Sequence, residues 1–257
     1  MTLTQYFRLV DTQARFALKA DAARFFLGYV WWVLEPLLFV GVFYFVFNVV
    51  LDANRADFLV FLMCGKLPFV WYSKTVSNSA NAIIGNAGLI GKIDIPKTMF
   101  PMVRVHEGLY RQIAVFLLLF VVLILYDYPV TWLWLWVLPL AFVQYLMIVC
   151  CSLLGAMLVC FLRDFILLIG LAMIFLMFTS GIFWDPRMLD DPAMTEMILT
   201  WNPLAFILDG YRQVLMFQQS PDIGLLLING CVFGVITLIV AKIMNKNSQL
   251  LALKALS

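Results

Sequence analysis

The sequence predicts an all-α polytopic membrane protein: six transmembrane helices, an N-terminal amphipathic interface helix, and short re-entrant outer-leaflet helices between the fifth and sixth spans. Three observations carry that prediction. Of 257 residues, 64% are hydrophobic and only 12% are charged, against about 25% charged in a soluble domain, so the chain cannot cover itself with a water-compatible surface. Six apolar stretches approach the length of about 20 residues that the hydrocarbon core demands. Basic residues gather on one side of those stretches and acidic residues on the other.

Residues 2–20 open the chain as a helix. Leu3, Phe7, Val10, Ala14 and Leu18 recur at helical spacing, while Gln5, Arg8, Asp11, Arg15 and Lys19 fall largely on other faces. Such a helix lies along a membrane surface or packs on a cytosolic partner. It is not a signal peptide, because Asp11, Asp21 and four basic residues interrupt any apolar core. The six spans run approximately from Val30 to Leu51, Phe58 to Ala80, Val105 to Tyr126, Trp132 to Phe161, Phe165 to Trp184 and Ile223 to Ala241. The third is weakest, since His106, Glu107 and Arg111 occupy its first turns. Residues 30–251 thus form the membrane region and tail of a single domain, 1–257.

Between the last two spans, residues 185–217 read as an outer hairpin. Its second part, WNPLAFILDGYRQVLMF (201–217), is apolar but too short and too charged to cross. A helix that dips into the membrane and returns, sheltered by protein, satisfies its backbone. Asn202 before Pro203 predicts the start of that helix, with the asparagine as cap and proline in the first helical position.

Orientation follows from the basic residues. Arg8, Arg15, Lys19, Arg24, Lys92, Lys97, Arg104, Arg111, Arg163, Lys242, Lys246 and Lys254, twelve of the seventeen Lys and Arg, fall on one side. Asp52, Asp57, Asp127, Asp185, Asp190, Asp191, Glu196, Asp209 and Asp222 fall opposite, with only Arg55, Arg187 and Arg212. Both termini and the 81–111 loop are therefore expected in the cytoplasm.

The chain offers little chemistry of its own. GNAGLIGKIDIPKTMFP (85–101) looks like a phosphate-binding loop, but Asn86 stands where a Walker A glycine belongs and Ile93 where the hydroxyl belongs. The single histidine, His106, sits beside Glu107 at a membrane edge and reads as an interface pair. No catalytic and no metal-binding motif is present, and the cysteines all lie in apolar runs, where they read as small buried hydrophobes. A net charge of +2 gives no basic patch for nucleic acid. Within the spans the ionisable groups are Glu35, Lys66 and Lys74; the lysines either snorkel to opposite interfaces, the favoured reading, or line a polar conduit. Phe39 and Phe43, four apart on one face, either pack between helices or offer flat surfaces to passing sugar rings.

FLGYVWWVLEP (26–36), preceded by the amphipathic segment, resembles the opening of the first span in permeases of type 2 ABC exporters, in the branch that exports capsular polysaccharide and O-antigen. SGIFWDPRML (180–189) followed by LTWNPLAFILDGYRQVLM (199–216) resembles that branch's outer hairpin, and the match in length, span number and motif order covers essentially the whole chain. The resemblance implies that ATP and magnesium are held by a separate cytoplasmic subunit, with no cofactor in this chain. The 85–101 loop would dock on that subunit through Leu89, Ile90, Lys92, Asp94, Ile95 and Lys97, with Arg163 and Asp164 as a second contact. It further implies a homodimer in the bacterial inner membrane, with the path between the copies lined by Trp32, Phe39, Phe43, Phe175 and Phe178. The cargo is then a lipid-linked or lipid-terminated glycan, whose head group meets Arg15, Lys19 and Arg24 at the cytoplasmic mouth. Membrane lipid and periplasmic or outer-membrane export proteins complete the expected partners. Lys66 and Lys74 are more basic than the branch leads one to expect; facing the path, they favour an acidic capsule over a neutral O-antigen. Three rival readings are an exporter of teichoic acid, lipid or drug on the same scaffold, a membrane glycosyl or acyl transferase using His106 and Glu107, and a non-transporting anchor that only recruits a cytoplasmic partner.

Overall fold

The structure, a computed structural model, describes residues 2–24, 26–46, 57–92 and 95–256. Among them every regular element is helical. The helices are α1 (Leu3–Arg24), α2 (Trp31–Tyr44), α3 (Phe58–Ala80), α4 (Ala87–Ile90), α5 (Met99–Leu125), α6 (Val137–Phe161), α7 (Phe165–Thr179), α8 (Pro192–Trp201), α9 (Pro203–Leu215), α10 (Ile223–Lys246) and α11 (Ser248–Leu256).

The first helix starts at a reciprocal cap: the Thr2 amide donates to Gln5 Oε1 at 2.9 Å and the Gln5 amide to Thr2 Oγ1 at 3.3 Å. Val10, Ala14, Leu18 and Ala22, four apart, form its buried stripe, and that stripe lies on α5. Leu3 and Phe7 stay exposed. A 3₁₀ turn at Gly28–Val30 follows, where Gly28 takes φ +49°, a left-handed value that favours glycine. The chain turns by 101° between α1 and the helical segment Gly28–Tyr44.

Among the described residues three helical segments are long and apolar enough to cross a bilayer: α5, Trp132–Phe161 and α10, with a fourth if the bent pair is one span. The six predicted crossings differ from that count for identifiable reasons. The predicted first span ends at Leu51, and positions 47–51, Phe47 among them, lie outside the described residues. Helix α3 has the length, but Lys66, Lys74 and its Ser and Thr residues dilute its hydropathy, and 17 of its 23 residues are buried by other helices rather than facing lipid. Helix α7 ends at Thr179, short of the predicted Trp184. Its 15 residues span about 22 Å against a core of about 30 Å. At that end Trp184 Nε1 donates back to the Phe178 carbonyl at 2.8 Å. Helix α5 starts at Met99, six residues before the predicted Val105, so its charged turns are helical.

The hairpin helices are tied down by their caps. Asp191 accepts from the Ala193 amide at 2.9 Å, and the cap expected at Asn202 is present, accepting from Ala205 at 3.1 Å with Pro203 in the first helical position. Twelve of the thirteen residues of α9 are buried. Tyr211 donates to Gln144 Oε1 at 2.9 Å while Gln144 Nε2 donates to the Pro68 carbonyl at 2.8 Å, joining α9, α6 and α3. Arg212 is 1% exposed: its guanidinium donates to the carbonyls of Gly181 (2.6 Å), Ile182 (3.0 Å) and Phe61 (3.3 Å) and lies 3.5 Å from the Phe61 ring centre. Nearby, Arg187 grips the buried Asp209 carboxylate with Nε at 3.0 Å and Nη2 at 2.8 Å. The carboxylate's hydrogen bonds hold the Arg187 guanidinium above its ordinary pKa.

Candidate functional site

Helices α2, α3 and α7 bring most of the nominated path residues together. Phe43 packs on Phe183 with ring centres 4.8 Å apart, and Phe178 packs on the same ring at 5.7 Å. Phe39, Phe175 and Phe178 are exposed, and no residue of α7 is fully buried. Behind this aromatic face sits Lys66, 6% exposed. Its ammonium lies 5.0 Å from the Phe43 ring centre, 5.5 Å from Phe69, and 6.0 Å from both Phe39 and Phe183, with Met177 Sδ at 3.1 Å. Rings offer a buried cation their negative faces in place of water. The expectation that Lys66 and Lys74 snorkel to opposite interfaces does not hold: Lys66 is enclosed by rings and Lys74 pairs with Glu35 at 2.5 Å. Phe183, missed in the sequence, was visible only as part of SGIFWDP.

Trp32 lies apart from that face, 5.6 Å below the Arg111 guanidinium and 4.8 Å from Tyr29. It lines a cavity of about 380 Å³ at the elbow between α1 and α2. The charges of this cavity are Asp21, Glu35, Lys74, Arg104, Glu107 and Arg111. Arg111 reaches Asp21 at 2.7 Å and Glu107 at 2.5 Å, and Arg104 reaches Glu107 at 2.8 Å. The cations nominated for the mouth are elsewhere: Arg15, Lys19 and Arg24 are exposed and line no part of the cavity, and Arg15 pairs with Asp11 at 3.0 Å. His106 and Glu107 form no dyad either. The imidazole Nδ1 meets the Met102 carbonyl at 3.0 Å, and the carboxylate is held by the two arginines.

Helix α1 is clamped to α5 by Tyr6, which donates to Thr98 Oγ1 at 3.2 Å, and by Asp11, which accepts from the Tyr110 hydroxyl. Burial raises the Tyr6 phenol, while the Tyr110 hydroxyl, ahead of the Arg15 charge, holds the Asp11 carboxyl below its usual range. A depressed carboxyl contributes stability above its unfolded pKa of about 3.9 and loses it as pH falls through the folded value. A fluorophore on Thr12→Cys should therefore report a docked helix from pH 8 down to about 5, with release only below about pH 4; release near pH 6 would remove Asp11 from the clamp.

The docking residues divide. Leu89 and Lys92 are exposed, Ile95 is half-buried, and Asp94 lies outside the described residues, as does Ile93. Ile90 is turned inward at 6% exposure and Lys97 at 3%, its ammonium donating to the Ile95 carbonyl at 3.0 Å. Both are removed from any outward face. For Ile90 the cause is the tail: α11 packs on α4 and α6, burying Leu251 and Ala255, and the Cys160 thiol donates to the Leu251 carbonyl at 3.3 Å. Arg163 and Asp164 are exposed at the α6–α7 turn. Among the described residues no three His, Cys, Asp or Glu side chains gather into a metal site.

Fold and site together define a polytopic α-helical membrane protein with an aromatic face backed by a caged lysine and an ion-paired cavity at its elbow. No family model matches the chain. It is 29% identical over 192 residues to the O-antigen export system permease protein RfbA of Klebsiella pneumoniae, covering 74% of this chain and 73% of that one. A second Klebsiella pneumoniae protein of that name is 27% identical over 215 residues, 82% of each chain. The Myxococcus xanthus RfbA, again named an O-antigen export system permease, is 23% identical over 220 residues, 86% of this chain and 85% of its own. The resemblance carried by the motifs thus extends across most of the sequence, and the chain is a relative of O-antigen export permeases.

Proposed function

We propose that this chain is the transmembrane subunit of an ATP-driven exporter that carries a lipid-linked or lipid-terminated polysaccharide of the O-antigen or capsule type out across the bacterial inner membrane. The observation that carries the reading is the alignment with three O-antigen export permeases over 74–86% of the chain. The chain crosses six times with both termini in the cytoplasm, α3 shielded by its neighbours and α8–α9 held as a re-entrant hairpin. ATP and magnesium belong to a separate cytoplasmic subunit, which docks on the exposed side of the 85–101 loop and on the Arg163–Asp164 turn. Two copies of the chain face each other across α2 and α7, so that the Phe39, Phe43, Phe175 and Phe178 rings wall the path. Aromatic faces suit a sugar polymer because they stack on pyranose rings of any sequence without holding one register.

The test is purification of the tagged chain from its native membrane, followed by reconstitution. An ATP-hydrolysing subunit should accompany it, and glycan should enter liposomes only with ATP present. Transport by the chain alone without nucleotide would overturn the reading. Phe39→Arg should lower glycan export at least tenfold while dimers still form, since a charge in the wall repels the passing chain's apolar faces and costs desolvation; unchanged export would place this face against lipid.

A further inference from the structure

The elbow cavity does not end at its own floor. Trp71 and Gln112, each 4% exposed, line it and also line a second, larger space of about 960 Å³ between α5 and the start of α6. The two spaces therefore share one wall. Their chemistry is opposite. The elbow cavity sets three carboxylates against three cations, already joined to one another as ion pairs. The larger space is a groove walled by Ile113, Leu117, Leu138 and Phe142, all more than half exposed on the outer face of the membrane helices. Its volume is at the upper end of the range of about 300–1,000 Å³ typical of ligand pockets.

Unpaired hydrogen-bonding groups collect along this junction. Arg111 lines the elbow cavity, Trp71 and Gln112 stand in the shared wall, and Thr131 and Trp134 line the groove; their Nε, Nε1, Nε2, Oγ1 and Nε1 atoms are buried with no hydrogen-bond partner among the described residues. A buried donor left unmade costs about 1–3 kcal/mol, so the N–H groups of Arg111, Trp71 and Gln112, on residues that line the elbow cavity, call for an acceptor-bearing ligand.

We propose that the two spaces form one site for a bilayer phospholipid with a zwitterionic headgroup. Its phosphate and ester oxygens take the N–H groups of Arg111, Gln112 and Trp71, its ammonium faces Glu35 and Asp21, and its acyl chains fill the α5–α6 groove. Charge selects this occupant. The cavity is neutral and its cations are spent on carboxylates, so it has no surplus to offset a pyrophosphate dianion, whereas a headgroup carrying one charge of each sign adds no net charge to it. The site lies off the α2–α7 face and is independent of which cargo is exported.

The test uses the full chain purified in mild detergent, stripped of lipid, and exposed to vesicles of phosphatidylethanolamine or of phosphatidylglycerol, with retained lipid counted by native mass spectrometry. One phosphatidylethanolamine per chain should remain, with phosphatidylglycerol retained at least tenfold less. Ala141→Trp, which fills the groove, should lower retention at least tenfold, and Gln112→Leu several-fold; Leu138→Trp on the exposed rim serves in its place if Ala141→Trp fails to fold. Retention of no phospholipid, equal retention of the anionic one, retention of a polyprenyl pyrophosphate instead, or full retention in the groove-filling variant that folds would each overturn the proposal. Loss of glycan export with this lipid still bound would count against the proposed function and leave the lipid site standing.

Discussion

Replacing Leu89 with aspartate is expected to cut ATP-coupled glycan export by at least tenfold while the protein remains folded in the membrane. Leu89 is 39% exposed on α4, an apolar side chain presented outward from a short helix that the tail holds in place. An apolar anchor of this kind seated in a partner's pocket is worth on the order of 2–4 kcal/mol, and each 1.4 kcal/mol is about tenfold in affinity. Aspartate at the same position removes that contact and adds a charge to be desolvated. The neighbouring substitution has the opposite signature. Ile90→Asp forces a carboxylate into a site that is 6% exposed and packed under α11, so both export and the melting temperature should fall. Export measured beside thermal melting separates the two, and normal export in Leu89→Asp would remove α4 from the docking face.

Arg212→Leu is expected to be the most damaging single substitution to stability. The guanidinium satisfies carbonyls from three places, Phe61 on α3 and Gly181 and Ile182 after α7, and so fixes α9 against both. Leucine fills part of the volume but leaves those carbonyls facing an apolar side chain. Hydrogen bonds to a charged group contribute about 1.5–3 kcal/mol each, so the loss should reach on the order of 4 kcal/mol, read as a lowered melting temperature in detergent. Gly65→Val should do the same from the other side, because a Cβ at Gly65 would stand 2.5 Å from Arg212 Nη2 and the pinned guanidinium has nowhere to retreat. Arg187→Lys is the control. Lysine there keeps a charge for the Asp209 carboxylate, which is 3% exposed, and gives up only the two-pronged grip, so a smaller loss is expected. If Arg212→Leu melted like Arg187→Lys, the buried arginine would not hold the hairpin.

Much of this molecule was legible before any coordinates. Its apolar excess declares a membrane protein, Asn202–Pro203 announces the start of α9, and Val10, Ala14 and Leu18 mark the buried stripe of α1. The motifs around 26–36 and 180–216 pointed to a class of permease that the relatives bear out. These signals are local, or are sums over many residues, and local backbone chemistry or bulk transfer energy decides them.

What the sequence by itself determined is therefore the solvent of the chain, the caps and faces of its helices, and its kinship. The tertiary structure alone decided where the charges end: Lys66 inside four phenylalanine rings, Lys74 on Glu35, Arg212 on three carbonyls, and Ile90 inward rather than outward. Helical period places a residue on a face but does not say what covers that face. For a polar group in an apolar chain the covering partner decides everything, since the cost of burial is offset only by atoms that arrive from distant positions: Phe183 for Lys66, Phe61 for Arg212, and the tail for Ile90.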